Sequence, residues 1–325
     1  MNPLEDLNLP PLAADLARVE TGLRESVVSR DRFLGDVATH LIEAGGKRIR
    51  PALTLSAGYL AVGAEKPVSD DVVMGAVAVE LVHLGSLYHD DVIDEAETRR
   101  GVPSVNARWS NIMAILGGDF LLARASGIAA DLGQEVAALL AWTIGELCRG
   151  QGSELQHLFD VGRTEERYYS AIEGKTATLF GTACRVGGVV LGLPAPTLEA
   201  LTDFGREIGI CFQIVDDVLD LTSTDEDLGK PSGQDLVEGV YTLPVIYALE
   251  ESPELRDRLG RPLERGQLAE VRRLASANGA TEAALDAARS HAQKADAALA
   301  GAVDLDPDVR STLRLLSANL LARSS

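Results

Sequence analysis

Apolar residues recur at helical spacing along most of the chain, and glycine and proline punctuate the stretches. The pattern predicts two helices between about Leu12 and Ile42. The segment GGKRIRP, from Gly45 to Pro51, interrupts it, and a further helix runs to about Leu60. KPVSD reads as a turn with Ser69 or Asp70 as N-cap. Helices then follow over about Val72–Glu95, Ser110–Asp131, Glu135–Leu158, Glu165–Leu191 and Pro196–Leu221. A short helix is expected within Gly239–Glu250. Three more fill the chain from Leu263, with breaks near Asn278–Gly279 and Asp304–Pro307. β-branched runs such as VVMGAVAV lie inside longer helical periods, which argues against strands. No linker splits the chain, so one all-α domain over residues 1–325 is expected.

Composition narrows the class. The chain has 325 residues, 46% apolar and 24% charged, the proportions of a globular protein, with only 4% aromatic. The net charge of −19 disfavours nucleic acid as a partner. It would also repel an anionic substrate unless cations intervene. Cys148, Cys184 and Cys211 have no CxxC spacing, which excludes the usual zinc and disulfide frameworks and makes a reducing cytoplasm the expected location. The acidic N-terminus does not read as a signal peptide, and no uncharged apolar run reaches the length of a membrane span.

Two apolar helical runs end in the same pattern, VHLGSLYHDDVIDE and ICFQIVDDVLDLT. Residues four apart on a helix share a face, so Asp90 projects with Asp94 and Asp216 with Asp220. Asp91 and Asp217 stand about 100° around the axis. Like charges on one turn destabilise a bare helix, and more so at its negative C-terminal end. Either these are solvated acidic helix ends or they hold a cation. Oxygen-only donors suit Mg²⁺, which takes one or two carboxylates with water and substrate phosphate. If the two helices face each other, the six carboxylates can grip a metal-bound diphosphate.

Basic residues accompany the acids. GGKRIRP supplies Lys47, Arg48 and Arg50 among glycines that let backbone approach a ligand. ETRRG supplies Arg99 and Arg100 directly after the first acid triplet, and arginine suits bidentate phosphate contacts. Lys175, Thr176 and Lys230 lie near other element ends. Singly, each reads as a solvated surface group; together with the acids they form a joint pattern.

In GGKRIRPAL, HLGSLYHDDVIDEAETRRGVPS, GGDFLLARA, GKTATLF, CFQIVDDVLD and DLGKPSGQDLVEGVYTLP, taken in order, the chain resembles the trans-isoprenyl diphosphate synthase family over almost its whole length. The resemblance implies an all-α bundle of long helices around a central cavity and a homodimer. It implies that Asp90, Asp91, Asp94, Asp216, Asp217 and Asp220 bind two to three Mg²⁺ ions and an allylic diphosphate. Arg99, Lys175, Thr176, Gln213 and Lys230 would contact that substrate, with Lys175, Thr176 and Gln213 also stabilising the cation. Lys47, Arg50, His83 and Arg100 would hold isopentenyl diphosphate. Read from the sequence alone, His83 is more simply a satisfied core histidine. Val240 stands where many members carry lysine, which removes one phosphate contact.

The implied reaction ionises the allylic C1–O bond. The isopentenyl double bond attacks the cation, a proton leaves to the departing diphosphate, and the chain grows by five carbons. Gly85 and Ser86, small and one turn before Asp90, are the chain-length candidates, unless they serve helix packing. With them, the family resemblance implies a product of about C30 to C50; geranylgeranyl diphosphate is the shorter alternative. Peripheral membrane contact would serve product release. A terpene cyclase would lack GGKRIRP and the second all-aspartate triplet. A non-catalytic synthase subunit would lose the acid triplets, and both are complete here.

Overall fold

The computed structural model of the chain describes residues 7, 9–224, 232–264, 266–300, 302 and 305–322. The elements in order are α1 (Leu12–Ser26), α2 (Arg32–Glu43), α3 (Ile49–Val62), α4 (Asp70–Ile93), β1 (Thr98–Arg99), β2 (Val102–Pro103), α5 (Val105–Arg108), α6 (Asn111–Leu132) and α7 (Gln134–Leu155). There follow α8 (Glu165–Ile172), a π-helical turn (Glu173–Ala177), α9 (Thr178–Val190), α10 (Ala195–Thr222), α11 (Gln234–Glu238), α12 (Leu243–Glu251), α13 (Pro253–Arg258), α14 (Leu268–Ala275), α15 (Ala280–Ala300) and α16 (Pro307–Ala322). The fold class is all-α, as expected. The one sheet among the described residues is the two-stranded β1–β2 hairpin.

Helix starts follow the capping chemistry. Asp31 caps α2 by accepting the Leu34 N–H at 3.0 Å. Ser69, not Asp70, caps α4, accepting from Val72 N–H. Ser110 caps α6 and Thr164 caps α8 in the same way. Gly63 and Gly133 end α3 and α6 at positive φ, where a Cβ would be strained.

The described residues fall into two compact units, the first drawn from 1–145, 179–205 and 298–316, the second from 146–178, 206–297 and 317–325. In the first, α4 is the core helix, packed on α6, α3 and α1. Its buried residues go all the way round, from Val72 to Tyr88, and each fully buried Val or Leu contributes about 1.5–3 kcal/mol. Glycines set the closest approaches. A Cβ at Gly75 would meet Val186 at 2.7 Å, and one at Gly187 the Thr54 carbonyl oxygen at 2.3 Å. By length and composition α4 and α6 could each span a bilayer, but 72% of the most apolar window of α4 is buried in the protein, against 33% for α6. In the second unit Leu221, Tyr241, Val245, Leu249, Leu255, Val271 and Leu274 form the core. The Tyr241 hydroxyl there accepts the Gly260 N–H at 2.6 Å.

Candidate active site

The first unit places the first acid triplet at the end of α4. Asp94 is the C-cap, its N–H donating to the Asp90 carbonyl at 2.8 Å. Asp90 and Asp94 are half-buried, whereas Asp91 is fully buried. Arg99 grips Oδ1 of Asp91 through Nε at 2.7 Å and Nη2 at 2.6 Å. Oδ2 of Asp91 is buried without a hydrogen-bond partner. Burial raises the Asp91 pKa despite the opposing Arg99 charge. An orphaned, desolvated carboxylate oxygen fits a nearby cation. Among the described residues no three acidic, imidazole or thiol groups form a closed metal cage.

The chain then reverses. Thr98 pairs with Pro103 and Arg99 with Val102, with Arg100 (φ 54°) and Gly101 (φ 76°) at the turn, the positive-φ pair that a two-residue hairpin needs. This turn sends Arg99 to Asp91 and Arg100 inward. Arg100 donates to the carbonyls of Leu41, at 3.1 Å, and Gly45. GGKRIRP lies against it. Gly45, Gly46 and Arg48 all have positive φ, and a Cβ at Gly46 would fall 2.8 Å from the Arg100 guanidinium carbon.

The three basic residues of GGKRIRP part company. Lys47 is exposed. Arg48 is buried and bonded to Glu20 at 2.5 Å, to Glu80 at 2.9 Å, and to the carbonyls of Gly45 and Ile42. Arg50 lies 4.7 Å over the Phe180 ring, and its Nε is buried without a hydrogen-bond partner. His83 sits among these guanidiniums. Burial, then Arg50, Arg100, Arg48 and Arg99, depress its pKa well below the ordinary imidazole value, so the ring is neutral near pH 7. The structure therefore brings Arg50, His83, Arg99 and Arg100 into one electropositive cluster.

The second unit carries Lys175, Thr176, Gln213 and the second triplet. The helical period over Glu165–Leu191 breaks at the π turn, a distortion that recurs at functional sites. It holds Lys175 and Thr176. Lys175 Nζ donates to Glu154 at 2.5 Å. The Thr176 hydroxyl donates to Gln213 Oε1 at 2.8 Å, and Gln213 Nε2 donates to Asp217 Oδ1 at 2.8 Å. The Tyr168 hydroxyl donates to Asp217 Oδ2 at 2.6 Å. Both Asp217 oxygens thus accept bonds from protein, while burial pushes its pKa up to about 7. Asp216 is half-buried. Asp220 is buried and accepts the Asp235 N–H at 3.2 Å, tying α11 to the end of α10.

Lys230 lies outside the described residues. Val240 is half-buried, with its N–H on the Asp235 carbonyl. Gly85 packs on α6, where a Cβ would meet Leu122 Cγ at 3.0 Å and the Gly118 carbonyl oxygen at 3.1 Å. Ser86 is half-buried and donates to the His83 carbonyl of its own helix.

Sequence reading missed three residues. Tyr168 fixes Asp217, and its signal was a tyrosine two helical turns before Lys175. Arg163 is buried, donates to the Tyr241 carbonyl at 3.0 Å and lies 5.7 Å from the Tyr168 ring centroid. Glu80 is a buried charge inside an apolar run.

Residues 31–277 match the polyprenyl synthetase family. The chain is 44% identical over 244 residues to heptaprenyl diphosphate synthase component 2 of Geobacillus stearothermophilus, covering 74% of each chain. It is similar to the structure of a decaprenyl diphosphate synthase from Rhodobacter capsulatus, with a TM-score of 0.89, 36% identity, and 98% and 99% of the two chains covered. It is also similar to a polyprenyl synthase from Caulobacter crescentus CB15 complexed with calcium and isoprenyl diphosphate, with a TM-score of 0.91, 34% identity and 98% of each chain covered. The acid triplets, the basic cluster, the helical fold and these likenesses agree: the chain belongs to the polyprenyl synthetase family and is a trans-prenyltransferase.

Proposed function

We propose that the enzyme condenses isopentenyl diphosphate with an allylic diphosphate, head to tail, to make an all-trans polyprenyl diphosphate of about C30 to C50, a reading supported by its similarity to heptaprenyl and decaprenyl diphosphate synthases. The observation that carries this reading is on α4. His83, ringed by guanidiniums, and Asp90 are seven residues apart, so they share a face about 10 Å apart along the axis. A cluster for a second diphosphate beside a metal-binding triplet is what a condensing enzyme needs and a cyclase does not. The aspartates of the two triplets would hold Mg²⁺, two to three ions, whose charge would stabilise the leaving diphosphate.

The protein's own groups do the rest. Arg50, Arg100, Lys47 and neutral His83 anchor the isopentenyl diphosphate. Arg99 holds Asp91 and approaches the allylic diphosphate. Lys175 adds positive charge beside the Thr176, Gln213 and Asp217 chain of hydrogen bonds. The Thr176 and Gln213 dipoles would stabilise the developing cation, and each aspartate triplet would hold metal-bound diphosphate. The reading is supported by the calcium and isoprenyl diphosphate in the Caulobacter relative. It is tested by product analysis of the purified chain with Mg²⁺, isopentenyl diphosphate, and dimethylallyl, geranyl or farnesyl diphosphate in turn. All-trans polyprenyl products are expected; cyclised hydrocarbon from the allylic substrate alone would overturn it. The Geobacillus relative is named as a component, and activity of this chain by itself answers whether a partner subunit is needed.

Ser86→Phe in the same assay is expected to shorten the product. Ser86 loses only a bond within its own helix, so the added ring occupies space instead of breaking a contact. An unchanged length distribution would place the tunnel floor elsewhere. Gly85 is the poorer probe, because a phenylalanine there must first displace α6.

We also propose a cytoplasmic homodimer built on α6, with membrane contact confined to product release. On α6, Ile112, Ile115 and Leu116 are 69%, 45% and 49% exposed. Apolar residues grouped on one helix face favour a partner surface. Leu116→Glu should convert a dimer to a monomer in light scattering after gel filtration; a dimer of unchanged mass removes α6 from the interface.

A further inference from the structure

Guanidiniums gathered to receive a diphosphate repel one another before it arrives. Arg100 is disfavoured by Arg48 and Arg99, and Arg50 by Arg100. Something must hold them together in the empty enzyme. The structure offers a carboxylate that no part of the reaction uses. Glu80 lies on α4, three residues before His83 and so on the same face, and is only 2% exposed. Its Oε1 accepts Arg48 Nη1 at 2.9 Å and stands 3.9 Å from Arg100 Nη2. Burial depresses the pKa of both Arg50 and Arg100, and in each the strongest attraction opposing it comes from Glu80. Arg48 in turn binds the carbonyls of Ile42 and Gly45, and Gly45 also receives Arg100. One carboxylate thereby joins α4, the loop before α3 and the β1–β2 turn.

We infer that Glu80 is a positioning residue for isopentenyl diphosphate: its buried carboxylate, bonded to Arg48 and 3.9 Å from Arg100, keeps Arg100 arranged to receive the diphosphate group. The inference rests on the assignment of that substrate to the basic cluster. Its sign is opposite to that of bare electrostatics, in which a carboxylate beside an anion site only weakens anion binding. Burying a charge is costly unless partners compensate, and here the compensation is the arrangement itself.

The test is steady-state kinetics of Glu80→Gln, which keeps shape and removes charge. KM for isopentenyl diphosphate should rise by about tenfold or more, with kcat and the allylic KM within about twofold of wild type. Glu80→Asp, with its charge drawn back by one methylene, should show a smaller rise in the same constant alone. An unchanged or lowered KM for isopentenyl diphosphate overturns the inference. So does an equal rise in both KM values with a lowered Tm, which marks a general structural role. If Glu80→Gln does not fold, Glu80→Asp decides: an isolated rise supports the inference, and wild-type constants overturn it. Arg50→Lys is measured alongside. If it leaves KM for isopentenyl diphosphate unchanged, the assignment of that substrate to the cluster fails; if it raises that KM while Glu80→Gln does not, only the inference fails.

Discussion

Asp90→Ala and Asp216→Ala are each expected to lower kcat by about 10²–10³ or more, the scale of losing one group that stabilises transition-state charge, while Tm holds or rises. The two halves of the expectation have one cause. Asp90 stands in the last turn of α4 with Asp91 and Asp94, at the end of the helix where the backbone dipole is negative. Asp216 has the same neighbours near the end of α10. In both places a carboxylate repels others on its own turn and gains nothing from the helix. Alanine relieves that repulsion and is the best helix former. A residue that costs stability and is kept for function should behave this way. Thermal melting and steady-state rates at saturating Mg²⁺ check it; near wild-type turnover in either variant rejects the assigned role.

The acid triplets were legible because their signal is local: i, i+4 aspartates at the end of an apolar run. The N-cap of α4 and the interruption at GGKRIRP were legible for the same reason. What was hidden depends on contacts between distant segments. The β1–β2 hairpin has two residues per strand, too short for any alternation to show. The π turn is invisible to periodicity because helical spacing resumes on either side of it. Arg48 and Arg50 look alike in the sequence. Only the fold shows that Arg48 is spent on Glu20 and Glu80, while Arg50 stays beside His83. The same holds for the middle aspartates. Asp91 and Asp217 look like their neighbours in the sequence, but in the fold each is buried, Asp91 with one oxygen on Arg99 and the other without a hydrogen-bond partner, Asp217 with both oxygens bonded by Tyr168 and Gln213. Gly85 had two readings from sequence, tunnel lining or close packing, and its distance to Leu122 and Gly118 accounts for the second.

Gly150→Ala should cost both stability and turnover, through a contact that no side chain can relieve. A Cβ at Gly150 on α7 would fall 2.3 Å from the Lys175 backbone nitrogen, 2.7 Å from the Gly174 carbonyl carbon and 2.8 Å from the Ala171 oxygen. All three are main-chain atoms of α8 and the π turn, and Gly174 meets α7 just as closely from the other side, its Cβ 2.8 Å from the Glu146 oxygen. No rotamer change makes room, so the two backbones must separate. Overpacking of this kind costs about 1–3 kcal/mol. The segment that moves carries Lys175 and Thr176, and displacing reacting groups by about 1 Å can cost 10²-fold in rate. Two residues further along the same helix, a Cβ at Gly152 would meet nothing within 4 Å. Gly152→Ala therefore gains only the helix preference of alanine, about 0.5–1 kcal/mol, and should melt slightly higher with normal kinetics. The pair separates backbone contact from glycine flexibility. If Gly150→Ala melts and turns over like Gly152→Ala, the close packing of α7 on the π turn is not what holds Lys175 and Thr176 in place.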